Sequence, residues 1–295
     1  MKKFFRVFVI FVAFLSAVKC QSFDDQLMFE QFYGSAFDPQ MQIYDIRSFQ
    51  NIVNHPHFNP NAPTVIFHFD QFETNRDQQV VAIISAYLYM MEYNVILVDY
   101  QNVDIISDDA ALDLAHSVAH GLEGFLRHYN PQLVHFLGNG VGANVMSHAA
   151  EILSGAGITV SRLTGLNPTR ISHHASFTDT IHTEETNFNP NYVGQASFFI
   201  NGGTHPQPRC TGIVSCSRDF SKRVWSESIL SETPNFPALP CSSWINFLNG
   251  ECNQNVPIGN AGLHAHRLLR GSYFLQTNTR EPWSRQTALP GTPAN

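Results

Sequence analysis

The chain has 295 residues, of which 43% are hydrophobic and 14% charged, and its formal net charge is −7. Disordered chains carry more charge and fewer apolar residues, so this composition is that of a folded protein. At about 150 residues per domain, the length fits one or two domains. The chain has no basic block and no repeat at solenoid spacing, so nucleic-acid binders and repeat scaffolds are disfavoured.

The first twenty residues have the pattern of a secretory signal peptide. A basic start precedes an apolar run over 7–18, and Val18 and Cys20 fit the small residues that precede a cleavage site. The run is shorter than the ~20 residues needed to cross a bilayer. We therefore expect residues 1–20 to be removed from a secreted protein that is not integrally bound to a membrane. A retained membrane anchor is the alternative interpretation.

Beyond a polar N-terminal stretch, short apolar runs alternate with longer amphipathic segments. Such runs predict buried strands, and the segments predict helices. In chain order the elements are strand 64–69, helix 77–93, strand 94–98, helix 108–129, strand 133–137, helix 143–153, and strands 158–166, 179–182, 196–200 and 272–276. This alternation predicts an α/β fold with a mostly parallel central sheet and helices on both faces. No linker is visible, so residues 21–295 are expected to form one domain.

Four cysteines remain once Cys20 is removed with the signal peptide. Their spacing suggests the pairs Cys210–Cys216 and Cys241–Cys252, which is one of three possible connectivities. Export favours disulfides over a zinc site, and no C-x-x-C motif occurs.

Histidines lie close together at three places in polar segments. These pairs are His55 and His57, His173 and His174, and His264 and His266. Histidines in such segments are more often solvated than bound to metal, and we predict neither a metal site nor a cofactor. His135 lies within a predicted strand and is expected to be a hydrogen-bonded core residue.

A glycine-rich turn, Gly138-Asn139-Gly140-Val141-Gly142, joins the strand over 133–137 to the next helix. In α/β hydrolases this corner reads G-x-S-x-G and holds a nucleophilic serine above the sheet. Here the middle residue is Gly140. The spacing matches neither dinucleotide-binding nor P-loop patterns, so a nucleotide site is disfavoured.

Several long segments in the same order resemble the animal pancreatic-lipase family, especially the insect secreted lipases, the phospholipase A1 branch and the yolk proteins of higher flies. The segments are NVILVDY (94–100), VHFLGNGVGANV (134–145), LTGLNP (163–168), FTDTIHT (177–183), FFINGGTHPQPRC (198–210), CSRDFSKRVWSESI (216–229) and CSSWINFLNGEC (241–252). The resemblance runs from about Ala62 to Thr292. It implies the α/β-hydrolase fold.

The resemblance also implies that both cysteine pairs are family disulfides, the first closing the base of a lid over an acyl groove. The loop between Cys210 and Cys216 has only five residues, too few for a lid helix, so any groove is expected to be open. We expect no counterpart of the family's C-terminal β-sandwich domain.

By resemblance, the Ser-Asp-His triad falls on Gly140, Asn167 and Arg218. Gly140 has no atom that can attack a carbonyl. Asn167 cannot stabilise an imidazolium, and the guanidinium of Arg218 cannot accept a proton at physiological pH. These three changes predict that no catalytic residue remains at the positions that the family uses.

The oxyanion loop of the family, H-G-F, corresponds to His68-Phe69-Asp70. The hole donors would be the backbone N–H groups of Asp70 and Val141, and the bulk of Phe69 is expected to crowd the loop. A carboxylate beside the hole would repel a developing oxyanion. We therefore hypothesise that Asp70 and Arg218 instead form an ion pair, which a separation beyond about 6 Å would contradict.

The function that these residues predict is a secreted, catalytically inactive lipase homologue that binds a lipid or other hydrophobic ligand, as a carrier or as a yolk-like storage protein. The alternative is an active lipase or phospholipase A1 with a non-standard nucleophile, although Ser117, Ser154 and Ser217 lack a comparable turn. The 24 phenylalanines favour a phenylalanine-rich core over a phenylalanine-lined groove.

Overall fold

The structure is a computed structural model that describes residues 23–71, 73–100, 107–184, 194–233 and 235–291. The predicted signal peptide, residues 1–20, lies outside these ranges.

A central sheet of eleven strands organises the described part of the chain. Its order is β10-β9-β11-β8-β7-β6-β5-β3-β4-β1-β2. The strands are β1 (Leu27–Ser35), β2 (Asp38–Asp45), β3 (Thr64–His68), β4 (Asn94–Tyr100), β5 (Val134–Asn139), β6 (Arg162–Leu166), β7 (Phe177–His182), β8 (Ala196–Ile200), β9 (Pro237–Pro240), β10 (Gly259–Asn260) and β11 (Gly271–Leu275). From β4 through β11 neighbouring strands are parallel, and both edges are antiparallel.

Five α-helices accompany the sheet in the described residues. They are α1 (Gln78–Met90), α2 (Asp108–Leu126), α3 (Val141–Gly155), α4 (Val214–Ile229) and α5 (Trp244–Leu248). One apolar cluster joins α2 and α3 to one face of the sheet, and a second joins α1 and α4 to the other. The predicted α/β architecture with helices on both faces is confirmed. Most of the described phenylalanines are buried in these clusters, so the predicted phenylalanine-rich core is confirmed as well.

The apolar runs predicted the central strands correctly, because a strand that is covered on both faces is apolar throughout. Strand β8 has the predicted bounds, and the other predicted strands begin or end within a few residues of them. Other elements were not predicted. The polar N-terminal stretch forms the hairpin β1–β2, and the segment between β8 and β11 contains the sixteen-residue helix α4 and the short elements β9, α5 and β10.

Both suggested cysteine pairs are disulfides. The Cα atoms of Cys210 and Cys216 are 5.3 Å apart, and those of Cys241 and Cys252 are 5.6 Å apart. The first bond closes a short loop whose last residues already belong to α4, so the structure has no separate lid helix within it. Helix α4 begins within this loop, near the carboxyl ends of the parallel strands, where the candidate site lies.

Candidate functional site

The three positions predicted to correspond to the triad meet at the carboxyl ends of β5 and β6, beside the end of β3. The chain leaves β3 toward β4 on one side and returns to β5 on the other, so this edge contains a switch in strand order. Ligands of open α/β sheets bind at such switch points. The helix α4 closes the site from the side and contributes Arg218.

Gly140 has the sharp conformation of a strand-to-helix corner, with φ 52° and ψ −120°. Side chains at the two flanking glycines would collide with the backbone. A Cβ at Gly138 would lie 2.6 Å from the nitrogen of Ala143, and one at Gly142 would lie 2.8 Å from the carbonyl carbon of His68. The elbow geometry is therefore retained although the middle residue has no side chain.

The carboxylate of Asp70 fills the space beside Gly140. Its Oδ1 accepts a hydrogen bond from the backbone N–H of Val141 at 2.9 Å. A Cβ built on Gly140 would overlap this carboxylate, with Oδ2 at 2.5 Å. The side chain of Asp70 is only 10% exposed. A carboxylate of the chain itself thus occupies the predicted oxyanion hole.

The second predicted hole donor is occupied as well. The backbone N–H of Asp70 donates to Oε2 of Glu73 at 3.0 Å. Neither N–H group is free to receive an oxyanion in this arrangement. The ring of Phe69, which was expected to crowd the loop, is buried and packs edge-on against Phe67.

Arg218 forms the hypothesised ion pair with Asp70, since Nη1 lies 3.3 Å from Oδ2. Its Nε also donates to Oε2 of Glu184 at 2.7 Å. The hydrogen bond to Glu184 is the main cause that raises the pKa of Arg218 above its ordinary value, and nearby carboxylates add to it. The guanidinium therefore remains charged and cannot act as a base.

Asn167 lies in the left-handed region, with φ 48°, and its side chain serves as a structural clamp. Its Oδ1 accepts from the backbone N–H of Thr183 at 2.7 Å, and its Nδ2 donates to the carbonyl of Arg218 at 3.0 Å. The amide thus ties the end of β6 to the residue after β7 and to α4. An amide suits this place because it both donates and accepts.

A buried lysine completes the charged network, and sequence reasoning missed it. Lys222 is 1% exposed on its side chain and contacts Glu73, and its Nζ lies 2.8 Å from Oδ1 of Asp219. Lys222 follows Arg218 by four residues and so lies on the same face of α4. Recognition of α4 in the sequence would have pointed to both cations together.

Two of the three serines considered as alternative nucleophiles are inaccessible. Ser217 is fully buried, and its Oγ accepts from the backbone N–H of Gln207 at 3.0 Å, with Nδ1 of His205 at 2.8 Å. Ser117 is 4% exposed and accepts from the backbone N–H of Phe23. Ser154 lies in the last turn of α3, away from the elbow at its first residue.

The histidines of the described residues form no metal centre, since no group of three or more potential ligands comes together there. His135 is buried, and its Nε2 lies 2.8 Å from Oγ1 of Thr164, as expected for a hydrogen-bonded core residue. Its pKa is held well below the usual value by burial. Within the described ranges, no helix has the length and apolar character to cross a bilayer.

Comparison with known proteins places these observations in a wider group. A family model described as Lipase matches residues 36–283. The chain is 31% identical over 143 residues to pancreatic lipase-related protein 2 of Cavia porcellus and 30% identical over 161 residues to inactive pancreatic lipase-related protein 1 of Homo sapiens. It is 24% identical over 168 residues to vitellogenin-2 of Ceratitis capitata.

These three matches cover 42%, 42% and 52% of this chain, and 32%, 33% and 39% of the relatives. The chain therefore spans about a third of the length of the curated relatives it matches. A solved esterase of the bacterial hormone-sensitive lipase family overlaps 49% of this chain and 45% of its own at 17% identity. The TM-score of this match is 0.31.

Proposed function

The chain belongs to the lipase family, and we propose that it is a secreted member that has lost the ability to hydrolyse esters. The observation that carries this proposal is the carboxylate of Asp70 in the place where the family needs an empty oxyanion hole. Acyl transfer in this fold needs a nucleophile, a base and donors that face the developing oxyanion. Gly140 and Arg218 supply neither of the first two, and the donors already have partners.

Two further observations support inactivity. The negative charge of the Asp70 carboxylate would repel an oxyanion that develops beside it. Some relatives are themselves named inactive, which fits a family in which the fold persists without catalysis.

For its role we propose binding rather than catalysis, with a lipid or another hydrophobic molecule as ligand, in a carrier or storage protein. The likeness to a vitellogenin supports this role. The two disulfides support an extracellular location, because such bonds persist in oxidising compartments. Lipid extraction of the purified protein tests the role: acyl lipid in equimolar amount supports a carrier, and lipid-free protein contradicts ligand binding.

Ester hydrolysis tests inactivity directly. Purified protein is assayed with p-nitrophenyl esters, a triacylglycerol emulsion and phospholipid vesicles, with pancreatic lipase as the positive control. We expect no turnover above the rate in buffer. Turnover that survives a second purification step would contradict the proposal, and an Asp70→Asn variant with the same turnover would place the responsible site elsewhere.

A further inference from the structure

We propose that the former oxyanion hole is an intact carboxylate-binding site, and that Asp70 is its tethered ligand. The site would accept a free monocarboxylate, such as acetate or the head group of an acyl chain, wherever the side chain of Asp70 is removed. This inference rests on the proposed function, since an active enzyme would need the same hole free for its substrate.

Three donors converge on the Asp70 carboxylate. Oδ1 accepts from the backbone N–H groups of Gln71 and Val141, each at 2.9 Å, and Oδ2 lies 3.3 Å from Nη1 of Arg218. Hydrogen bonds to a charged acceptor are stronger than those between neutral groups. The carboxylate therefore has the pattern of donors that a bound carboxylate ligand requires.

The position also favours an anion electrostatically. Val141 is the first residue of α3, a fifteen-residue helix, so the N–H group that binds Asp70 belongs to the positive end of the helix dipole. Arg218 adds a full positive charge that Glu184 partly offsets. One negative charge fits this balance, whereas a dianion such as phosphate would face Glu73 and Glu184 with less compensation.

The size of the site is set by Gly140. Because this residue has no side chain, the space beside it holds the carboxyl group of Asp70, and a Cβ there would overlap the carboxyl atoms. Removal of the Asp70 side chain would leave the N–H of Val141 and the guanidinium of Arg218 without this acceptor. A free carboxylate of the same shape can restore both interactions.

The test uses the variants Asp70→Gly and Asp70→Ala, melted in sodium acetate and in sodium chloride at matched ionic strength and pH. Acetate several-fold above its dissociation constant is expected to raise the melting temperature of both variants by about 2–4 °C over chloride. Wild type, whose hole is filled, should melt alike in both salts. If either variant folds poorly, recovery of folded protein should be greater in acetate.

Two matched controls isolate the site. Asp70→Asn keeps an isosteric group in the hole and should not respond to acetate, and Asp70→Gly combined with Arg218→Ala should lose most of the response. Equal melting and equal recovery in the two salts for both Asp70→Gly and Asp70→Ala would overturn the inference. That result is separate from ester turnover by wild type, which would refute the proposed function instead.

Discussion

At the residue scale, the Asp70 carboxylate occupies the space that a side chain at position 140 would need. A nucleophile at position 140 would extend into the space that the Asp70 carboxylate occupies, so the two arrangements exclude each other. The absence of a side chain at position 140 and the buried carboxylate of Asp70 therefore depend on each other. A variant that places Ser, Asp and His at positions 140, 167 and 218 would therefore also need the Asp70 side chain removed.

Gly140→Ser is expected to destabilise the fold without creating activity. A residue with a Cβ in this strained conformation costs about 1–3 kcal/mol, and the collision with Asp70 adds about 1–3 kcal/mol. Chemical unfolding should show a total loss of about 2–6 kcal/mol.

Gly157→Ser is the matched control for this variant. Gly157 also has a positive φ, of 81°, but a Cβ there would meet nothing within 4 Å. It should cost only the strain of the backbone, about 1 kcal/mol. Equal losses for the two variants would show that the Asp70 carboxylate does not occupy the space beside Gly140.

The sequence could predict the pairing of Asp70 with Arg218, because the family resemblance maps both residues onto one site. It could not predict the contact between Glu73 and Lys222, because Glu73 lies outside every segment that carries the resemblance and no sequence pattern relates the two residues. The tie from Asn167 to Thr183 and α4 was also unforeseen. Side-chain hydrogen bonds across three elements leave no periodic pattern in the sequence.

At the scale of elements, the parallel strands were predictable and α4 was not. A buried parallel strand is a continuous apolar run, whereas α4 buries Ser217, Ser221, Lys222 and Ser228 along with its apolar residues. Each of these polar side chains is hydrogen-bonded or ion-paired, so it can be buried. The buried face of α4 is therefore not a continuous apolar stripe in the sequence. The hairpin β1–β2 was missed because β2 is an exposed edge strand with few apolar residues.

A buried ion pair joins strands β6 and β7. Arg162 donates from Nε and Nη2 to both carboxylate oxygens of Asp179, at 2.9 and 2.6 Å, and also to the carbonyls of Gly262 and Leu263. Its guanidinium lies 5.3 Å from the ring centre of Trp225 on α4. The pair thus joins two strands, a helix and the segment that leads to β11.

Asp179→Asn is expected to lower the free energy of unfolding by about 3–5 kcal/mol, because it leaves a buried guanidinium without its charge partner. Glu123→Gln is the control, since it removes an exposed ion pair with Arg127 on α2 and should cost less than about 1 kcal/mol. Urea unfolding of both variants measures the difference. A loss for Asp179→Asn no larger than that for Glu123→Gln would contradict the structural role.

At the scale of the whole molecule, three buried histidines predict how stability depends on pH. Burial lowers the pKa of His68 to about 3 and that of His182 to about 4, and holds that of His135 well below 6.5. In the unfolded chain these groups titrate near 6.5. Between the two ranges the unfolded state binds more protons than the folded state, so stability falls as the pH falls.

The free energy of unfolding should therefore decrease on acidification below about pH 6.5, by up to about 1.4 kcal/mol per pH unit for each of these histidines. Their contribution should be constant above about pH 7.5. Urea unfolding at about pH 7.5, 6.5 and 5.5 measures this dependence. Equal or greater stability at the most acidic of these values would contradict neutral, buried histidines.

The overall architecture followed from alternating apolar and amphipathic segments, and the family resemblance located the site within it. The contacts of the carboxylate that occupies the predicted oxyanion hole could not be predicted, because they join segments that are far apart in the sequence. The carboxylate of Asp70 reaches Val141 and Arg218 from a loop that is distant from both in the chain. The proposed loss of catalysis depends on these contacts of Asp70 with Val141 and Arg218.

Covalent labelling of the intact protein tests this claim most directly. Purified wild type is incubated with a fluorophosphonate, which modifies activated serines, and its mass is measured beside pancreatic lipase treated in the same way. We predict an unchanged mass for this protein and a single adduct on the lipase. A stoichiometric adduct on one serine of the wild-type chain would contradict the account.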